Sequence, residues 1–168
     1  MSHISSPSES SLLVRDARGR YIPATADQIL SAARQVVDRK MQRGADFGSS
    51  ADVKAYLRAK LAGLDHEVFA VLFLDNRHRL IEYVEMFRGT LDGAPVYPRE
   101  VVKEALRLNA AAVILAHPHP SGNSQPSQAD KMITRELREA LALIGVRVLD
   151  HFVVAGNDAV SMAERGLL

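Results

Sequence analysis

Ala110-Ala-Ala-Val-Ile-Leu-Ala116 runs directly into His117-Pro-His-Pro-Ser-Gly-Asn-Ser-Gln-Pro126, and Ser127-Gln-Ala-Asp130 then opens a strongly periodic segment. An unbroken apolar run of this kind is expected of a strand buried on both faces. The segment that follows holds prolines at 118, 120 and 126, so it is predicted to be irregular. Beyond it Met132, Ile133, Leu137, Leu141 and Ile144 recur at helical spacing, predicting a helix over 127–144 that Gly145 ends. The junction between strand and helix is therefore the point around which the rest of the chain is placed.

Outward from it, Glu67-Val-Phe-Ala-Val-Leu-Phe-Leu74 is a second buried strand, and after the turn at Asp75-Asn76 residues 80–87 return as its antiparallel partner. Pro98 suits the first turn of a helix over 98–108, with Val101, Val102, Ala105 and Leu106 facing inward. Downstream, residues 146–155 form a strand, Gly156-Asn157-Asp158 a turn, and 159–161 a short last strand. Upstream, Thr25-x-x-Gln28 has the form of a capping box at the head of a helix with Ile29, Leu30, Ala33, Val37 and Met41 on one side and Gly44 as its stop. Ser50 is expected to cap a second helix bearing Val53, Tyr56, Leu57 and Leu61, ending near Gly63. The order ααββαβαββ predicts an α/β fold, a mixed sheet flanked by helices. Six of the first eleven residues are serine, so residues 1–22 are expected to be a disordered tail, followed by an N-terminal helical segment over 23–48 and the main domain over 49–168.

Composition narrows the chemistry. At 168 residues the chain suits one domain able to bury roughly 68–70% of its unfolded surface, and it is short for a TIM barrel. Lys and Arg number 21 against 20 Asp and Glu, a net charge of +1 that leaves no electrostatic footprint for nucleic acid or an anionic membrane. With no cysteine, disulfides, thiolate nucleophiles and Cys-bearing zinc sites are excluded, so any metal must rest on His, Asp or Glu. No apolar run reaches membrane-spanning length and no secretory signal heads the chain, so a cytoplasmic protein is expected.

Within residues 117–130 the polar residues converge. His117 and His119 stand two apart, which places both side chains on one face of an extended chain, and the neighbouring prolines stiffen that path. Asp130, in the first turn of the following helix, is close enough in sequence to swing back towards them. Two imidazoles and a carboxylate form a three-ligand set that leaves a fourth tetrahedral position for water, the pattern of a catalytic zinc. Each feature also has an ordinary explanation. Ser127-x-x-Asp130 is a good helix cap, and the histidines could be loop residues bonded to backbone. The cap does not exclude a metal, and all four residues meet at one strand-to-helix junction.

These residues resemble a known family. His117-x-His119-Pro120-x6-Ser127-x2-Asp130 is similar to the JAMM motif of the JAB/MPN metalloprotease superfamily, and residues 67–156 resemble the bacterial RadC-type JAB domain. The likeness includes Glu-Val-Phe-x2-Leu-Phe-Leu-Asp at 67–75, Arg88-Gly-Thr-Leu91, Pro98-Arg-Glu-Val101, His119-Pro-Ser-Gly122, Leu149-Asp-His151 and Ala163-Glu-Arg-Gly166. The resemblance implies a JAB/MPN, cytidine-deaminase-like architecture over 49–168 with zinc at the strand–helix junction.

It also implies a role for Glu67. By itself an acidic residue heading an apolar strand suits a solvated end as well as a site; the family's glutamate stands at the matching place and acts as general base. Glu82 and Glu85, on an outer strand, match no motif. The implied activity is hydrolysis of a peptide or isopeptide bond in a protein substrate by a zinc-activated water, with metal on His117, His119 and Asp130, Glu67 moving the proton and Ser127 bonding the oxyanion. The alternative from the same family is a non-catalytic or DNA-processing, DNA-repair-associated accessory domain. Residues 1–49 carry no helix-hairpin-helix segment of the kind longer RadC proteins have, and their basic residues suit a solvated helix surface. Pro118 stands where the family usually has Asn, leaving the ligands intact but removing an amide side chain and a backbone donor. His151 matches the family too and is expected to be a satisfied core residue, not a ligand.

Overall fold

The computed structural model describes residues 12–40, 42–61, 63–64, 66–89 and 95–168. Its elements are β1 (Leu13–Arg15), β2 (Tyr21–Pro23), α1 (Ala26–Lys40), α2 (Ser50–Leu61), β3 (Val68–Leu74), β4 (Leu80–Arg88), α3 (Pro98–Arg107), β5 (Ala112–Pro118), α4 (Gln128–Ala142), β6 (Arg147–Ala155) and β7 (Asp158–Ser161). Five strands form one sheet in the order β4-β3-β5-β6-β7. β5 and β6 run parallel while the other neighbours are antiparallel, so the sheet is mixed, and with the four helices among the described residues it makes the α/β architecture expected.

The period of two along each central strand divides the core into two layers. Ala70, Leu72 and Leu74 of β3 and Ala112, Ile114 and Ala116 of β5 pack with Val53, Tyr56, Leu57 and Leu61 of α2. The alternate residues, Phe69, Val71 and Phe73 with Val113 and Leu115, pack against Val101 and Ala105 of α3 and Leu137 and Leu141 of α4. Both faces of β3 and β5 are thus covered, which is why their sequences read as continuous apolar runs. Among the described residues no helix is long and apolar enough to cross a membrane.

Several expectations are corrected. The serine-rich residues 1–11 lie outside the described residues, but 13–23 are not tail: β1 pairs antiparallel with β2. Asp16 makes that turn, its carboxylate accepting from the backbone N–H of Arg18 and Arg20, with Gly19 at φ +78° supplying the left-handed residue. Among the described residues the order therefore has two strands ahead of the helices. The Thr25–Gln28 capping bonds head α1, which ends at Lys40 ahead of Gly44; residues 44–45 instead join the end of β4, Gly44 N–H donating to Leu80 O and Leu80 N–H to Ala45 O. Ser49, not Ser50, caps α2: its hydroxyl accepts from Asp52 N–H at 3.2 Å.

The most consequential correction concerns β5, which extends through His117 and Pro118. Pairing with β3 stops at Ala116, while β6 continues alongside to Pro118 and His119 N–H donates to Val154 O at 2.7 Å. Since His119 donates towards β6, the missing donor of Pro118 falls on the side where β3 no longer pairs. A proline is tolerated there without loss of a ladder bond.

Candidate metal centre

Strand parity delivers the first histidine. Val113 and Leu115 face the α3–α4 layer, so His117, next in the alternation, faces it too and is only 5% exposed. His119 continues the extended path beyond the strand. The turn that follows is closed by Gly122 N–H on His119 O, with Gly122 at φ +80°, a conformation that suits glycine. The chain then re-enters the same layer as α4 with Ser127 as N-cap.

That cap aims the carboxylate. Ser127 Oγ accepts from Asp130 N–H at 3.1 Å, and Asp130 Oδ2 accepts from Ser127 N–H at 2.6 Å. Held this way, Asp130 Oδ1 lies 3.1 Å from His117 Nε2 and Oδ2 lies 3.5 Å from His119 Nε2, while the two Nε2 atoms are 3.0 Å apart. The capping and ligand-like geometries belong to one carboxylate.

One ligand atom from each of His117, His119 and Asp130 lies within 4.8 Å of the others, so this group could hold a metal ion. The donor chemistry fits. Ligands at about 2.0–2.2 Å around a tetrahedral zinc stand roughly 3.3 Å apart, close to the spacing of these atoms. Ring lone pairs and a carboxylate facing one another repel unless a proton or cation lies among them. His119 Nδ1 is 2.7 Å from Asn123 O, which can only accept, so Nδ1 carries a hydrogen. Burial opposes ionisation of Asp130, but the imidazoles of His117 and His119 and the Ser127 N–H beside it outweigh that and hold the carboxyl well below the usual range. The Asp130 bond in turn raises His119 above its ordinary 6.5.

Behind the centre, His117 Nδ1 is 2.9 Å from Nε2 of His151, whose ring is 0% exposed and whose Nδ1 is 2.6 Å from Thr134 Oγ1. Burial pushes His151 well below its ordinary pKa, keeping the ring neutral. His151 is thus a satisfied core histidine, and Phe69 packs on both buried rings, stacked on His117 and edge-on to His151. The involvement of Thr134 was not foreseen. The signal available was its place one helical turn after Asp130, where a hydroxyl commonly turns back to the backbone.

In front of the centre is a cavity of about 910 Å³. Glu67 and Ser127 line it with the three ligand-like residues, and Phe69, Val96 and Ile133 give it an apolar wall. Its described lining contains no lysine or arginine. Glu82 and Glu85 lie outside it: Glu82 is exposed beside Arg107 and Glu85 beside Arg88. All five residues singled out in the sequence therefore border one cavity at the C-terminal end of β5.

Comparison with known proteins agrees with this architecture. The family model described as RadC-like JAB domain matches residues 47–167. The chain is 56% identical over 154 residues to a UPF0758 protein of Vibrio cholerae, covering 90% of this chain and 97% of that protein. It is 54% identical over 145 residues to a UPF0758 protein of Marinobacter nauticus and 59% identical over 140 residues to one of Methylibium petroleiphilum. These alignments cover 86% and 83% of the chain but 65% and 63% of those two relatives, so the chain spans less than two thirds of their length.

Proposed function

The chain belongs to the RadC-like JAB domain family, and on that premise we propose that it is a zinc-dependent hydrolase that cleaves a peptide or isopeptide bond. The observation that carries the reading is the convergence of His117 Nε2, His119 Nε2 and the Asp130 carboxylate beside a cavity that also holds Glu67 and Ser127. Zinc held by those three residues would supply Lewis acidity and a water made acidic towards pKa ~7.

The remaining roles fall to side chains of this cavity. Glu67, which is not one of the three converging ligands, accepts the proton of the attacking water and returns it to the leaving amine. Ser127 Oγ already accepts from Asp130 N–H, so its own hydrogen is available to donate to the oxyanion that forms on the substrate carbonyl. Asn123 O keeps the hydrogen of His119 on Nδ1 and so turns Nε2 towards the centre. The apolar wall of Phe69, Val96 and Ile133 limits water on that side of the cavity. Two carboxylates and no lysine or arginine in the described lining favour an uncharged amide over a phosphodiester backbone.

Metal analysis joined to a cleavage screen over peptides, isopeptides and DNA tests this reading. Purified protein is expected to bind close to one zinc, and His119→Ala to lose it. Glu67→Gln is expected to retain zinc and lose turnover. Full metal content in His119→Ala would remove the ligand assignment, retained hydrolysis in Glu67→Gln would remove the proton-transfer role, and cleavage of DNA alone would replace the substrate class.

A further inference from the structure

His117 can serve as a ligand through Nε2 only if its hydrogen sits on Nδ1, and the buried contacts behind the centre decide where that hydrogen sits. They form a chain that begins at a group with no choice of role. The carbonyl oxygen of Asp130 can only accept, and Thr134 Oγ1 lies 2.5 Å from it, so the Thr134 hydroxyl donates there. A hydroxyl has one hydrogen. Its contact with His151 Nδ1 at 2.6 Å must therefore be one in which Thr134 accepts, which places the hydrogen of His151 on Nδ1.

The next step follows from burial. His151 is 0% exposed on β6 and neutral, so with Nδ1 protonated its Nε2 is a bare lone pair. That lone pair stands 2.9 Å from His117 Nδ1, which must donate to it. His117 Nε2 is then left without a hydrogen, facing Asp130 Oδ1 and His119 Nε2. The relay is closed at one end by a carbonyl that cannot donate; at the other, the Asp130 carboxylate, 3.1 Å from His117 Nε2, is the rival acceptor for the same hydrogen, against which the relay holds the Nδ1–H form.

We propose that Thr134 and His151 are positioning residues that fix His117 as its Nδ1–H tautomer and so present a bare Nε2 to the metal. The inference rests on the metal-centre reading for its consequence, but the tautomer itself is a property of the metal-free protein. Without the relay a neutral imidazole populates both tautomers, and the Nε2–H form must lose that hydrogen before it can bind a metal. α4 thereby acts on the centre twice: Asp130 from its first turn faces the metal position, and Thr134 one turn later orients the histidine opposite.

Two readouts on the whole chain test this. In 15N-labelled, metal-free wild type, at alkaline pH where the rings are neutral, His117 is expected to show a protonated Nδ1 and a bare Nε2. Thr134→Val keeps the side-chain shape but removes the hydroxyl; it is expected to mix the His117 tautomers and to weaken zinc about 10- to 100-fold in competition with a chromophoric chelator. Thr134→Ser restores the hydroxyl and is expected to restore both readouts, which a purely space-filling role would not. An Nε2–H His117 in the wild type overturns the proposal, as does a Thr134→Val protein in which only one of tautomer and zinc affinity changes, or neither. Should Thr134→Val not fold by circular dichroism, the wild-type spectrum alone decides. A wild type that takes up no zinc would refute the metal-centre reading, and the tautomer spectrum would still decide whether the relay exists.

Discussion

At the scale of single residues, the proposed metal would compete with a proton for the same atoms. Asp130 raises the pKa of His119 above 6.5 by accepting its hydrogen bond, so proton binding favours the folded metal-free protein. That stabilisation is fully present below the unfolded value and is lost as pH rises through the folded one. Zinc bound as proposed would take the neutral ring, so the extra stability it would confer grows over the same rise. Metal-free protein is therefore expected to lose thermal stability from His119 between pH 6.5 and its raised pKa, and zinc to add more at pH 8 than at pH 6. Paired melting curves with and without zinc check this; a zinc increment that does not grow with pH would remove His119 from the ligand set. The two histidines and Asp130 are legible in sequence because their relation is local: a spacing of two in an extended chain and a place in a helix's first turn. Glu67 is less so, since a glutamate heading a strand looks the same whether it meets solvent or a cavity. The contact of Thr134 with His151, and of His151 with His117, is illegible because it depends on which atom of another element stops 2.6–2.9 Å away.

At the scale of elements, the head of α4 joins structure to chemistry. Ser127→Ala removes the acceptor for Asp130 N–H, and its loss is expected to cost about 1 kcal/mol of stability, measured by denaturant unfolding of the metal-free protein. Because the same box holds the Asp130 carboxylate, weaker zinc binding is expected in the same variant, and an unchanged affinity would show that the cap does not aim the ligand. The capping box at 127–130 is visible in sequence because it is a contact over three residues. The extension of β5 through Pro118 is not, because whether a proline breaks a strand depends on which neighbour its missing N–H would have faced. The hairpin of β1 and β2 escapes a compositional reading for a related reason: Asp16 and Gly19 define a turn, and the serine-rich segment before them hides it.

For the whole molecule, the centre exists because two layers of helix clamp one sheet. Phe73 is fully buried between β3 and the α3–α4 layer, so Phe73→Ala is expected to cost about 3–5 kcal/mol, read as a lower denaturation midpoint with an unchanged slope. Zinc binding at low temperature is expected to survive in whatever fraction stays folded, since Phe73 is not among the residues lining the cavity. The sequence by itself determined the alternation of buried strands and amphipathic helices, the shared face of His117 and His119, and the cap that carries Asp130. All of these are periodicities or contacts within a few residues, and local sterics and hydrogen bonding set them. Only the tertiary structure decided that β6 lies parallel beside β5 with Leu115 opposite His151, that α4 covers the same face, and that Glu67 borders the cavity. Strand order and register follow from burying both faces of the sheet at once, a condition that the whole chain satisfies together and that no local spacing expresses.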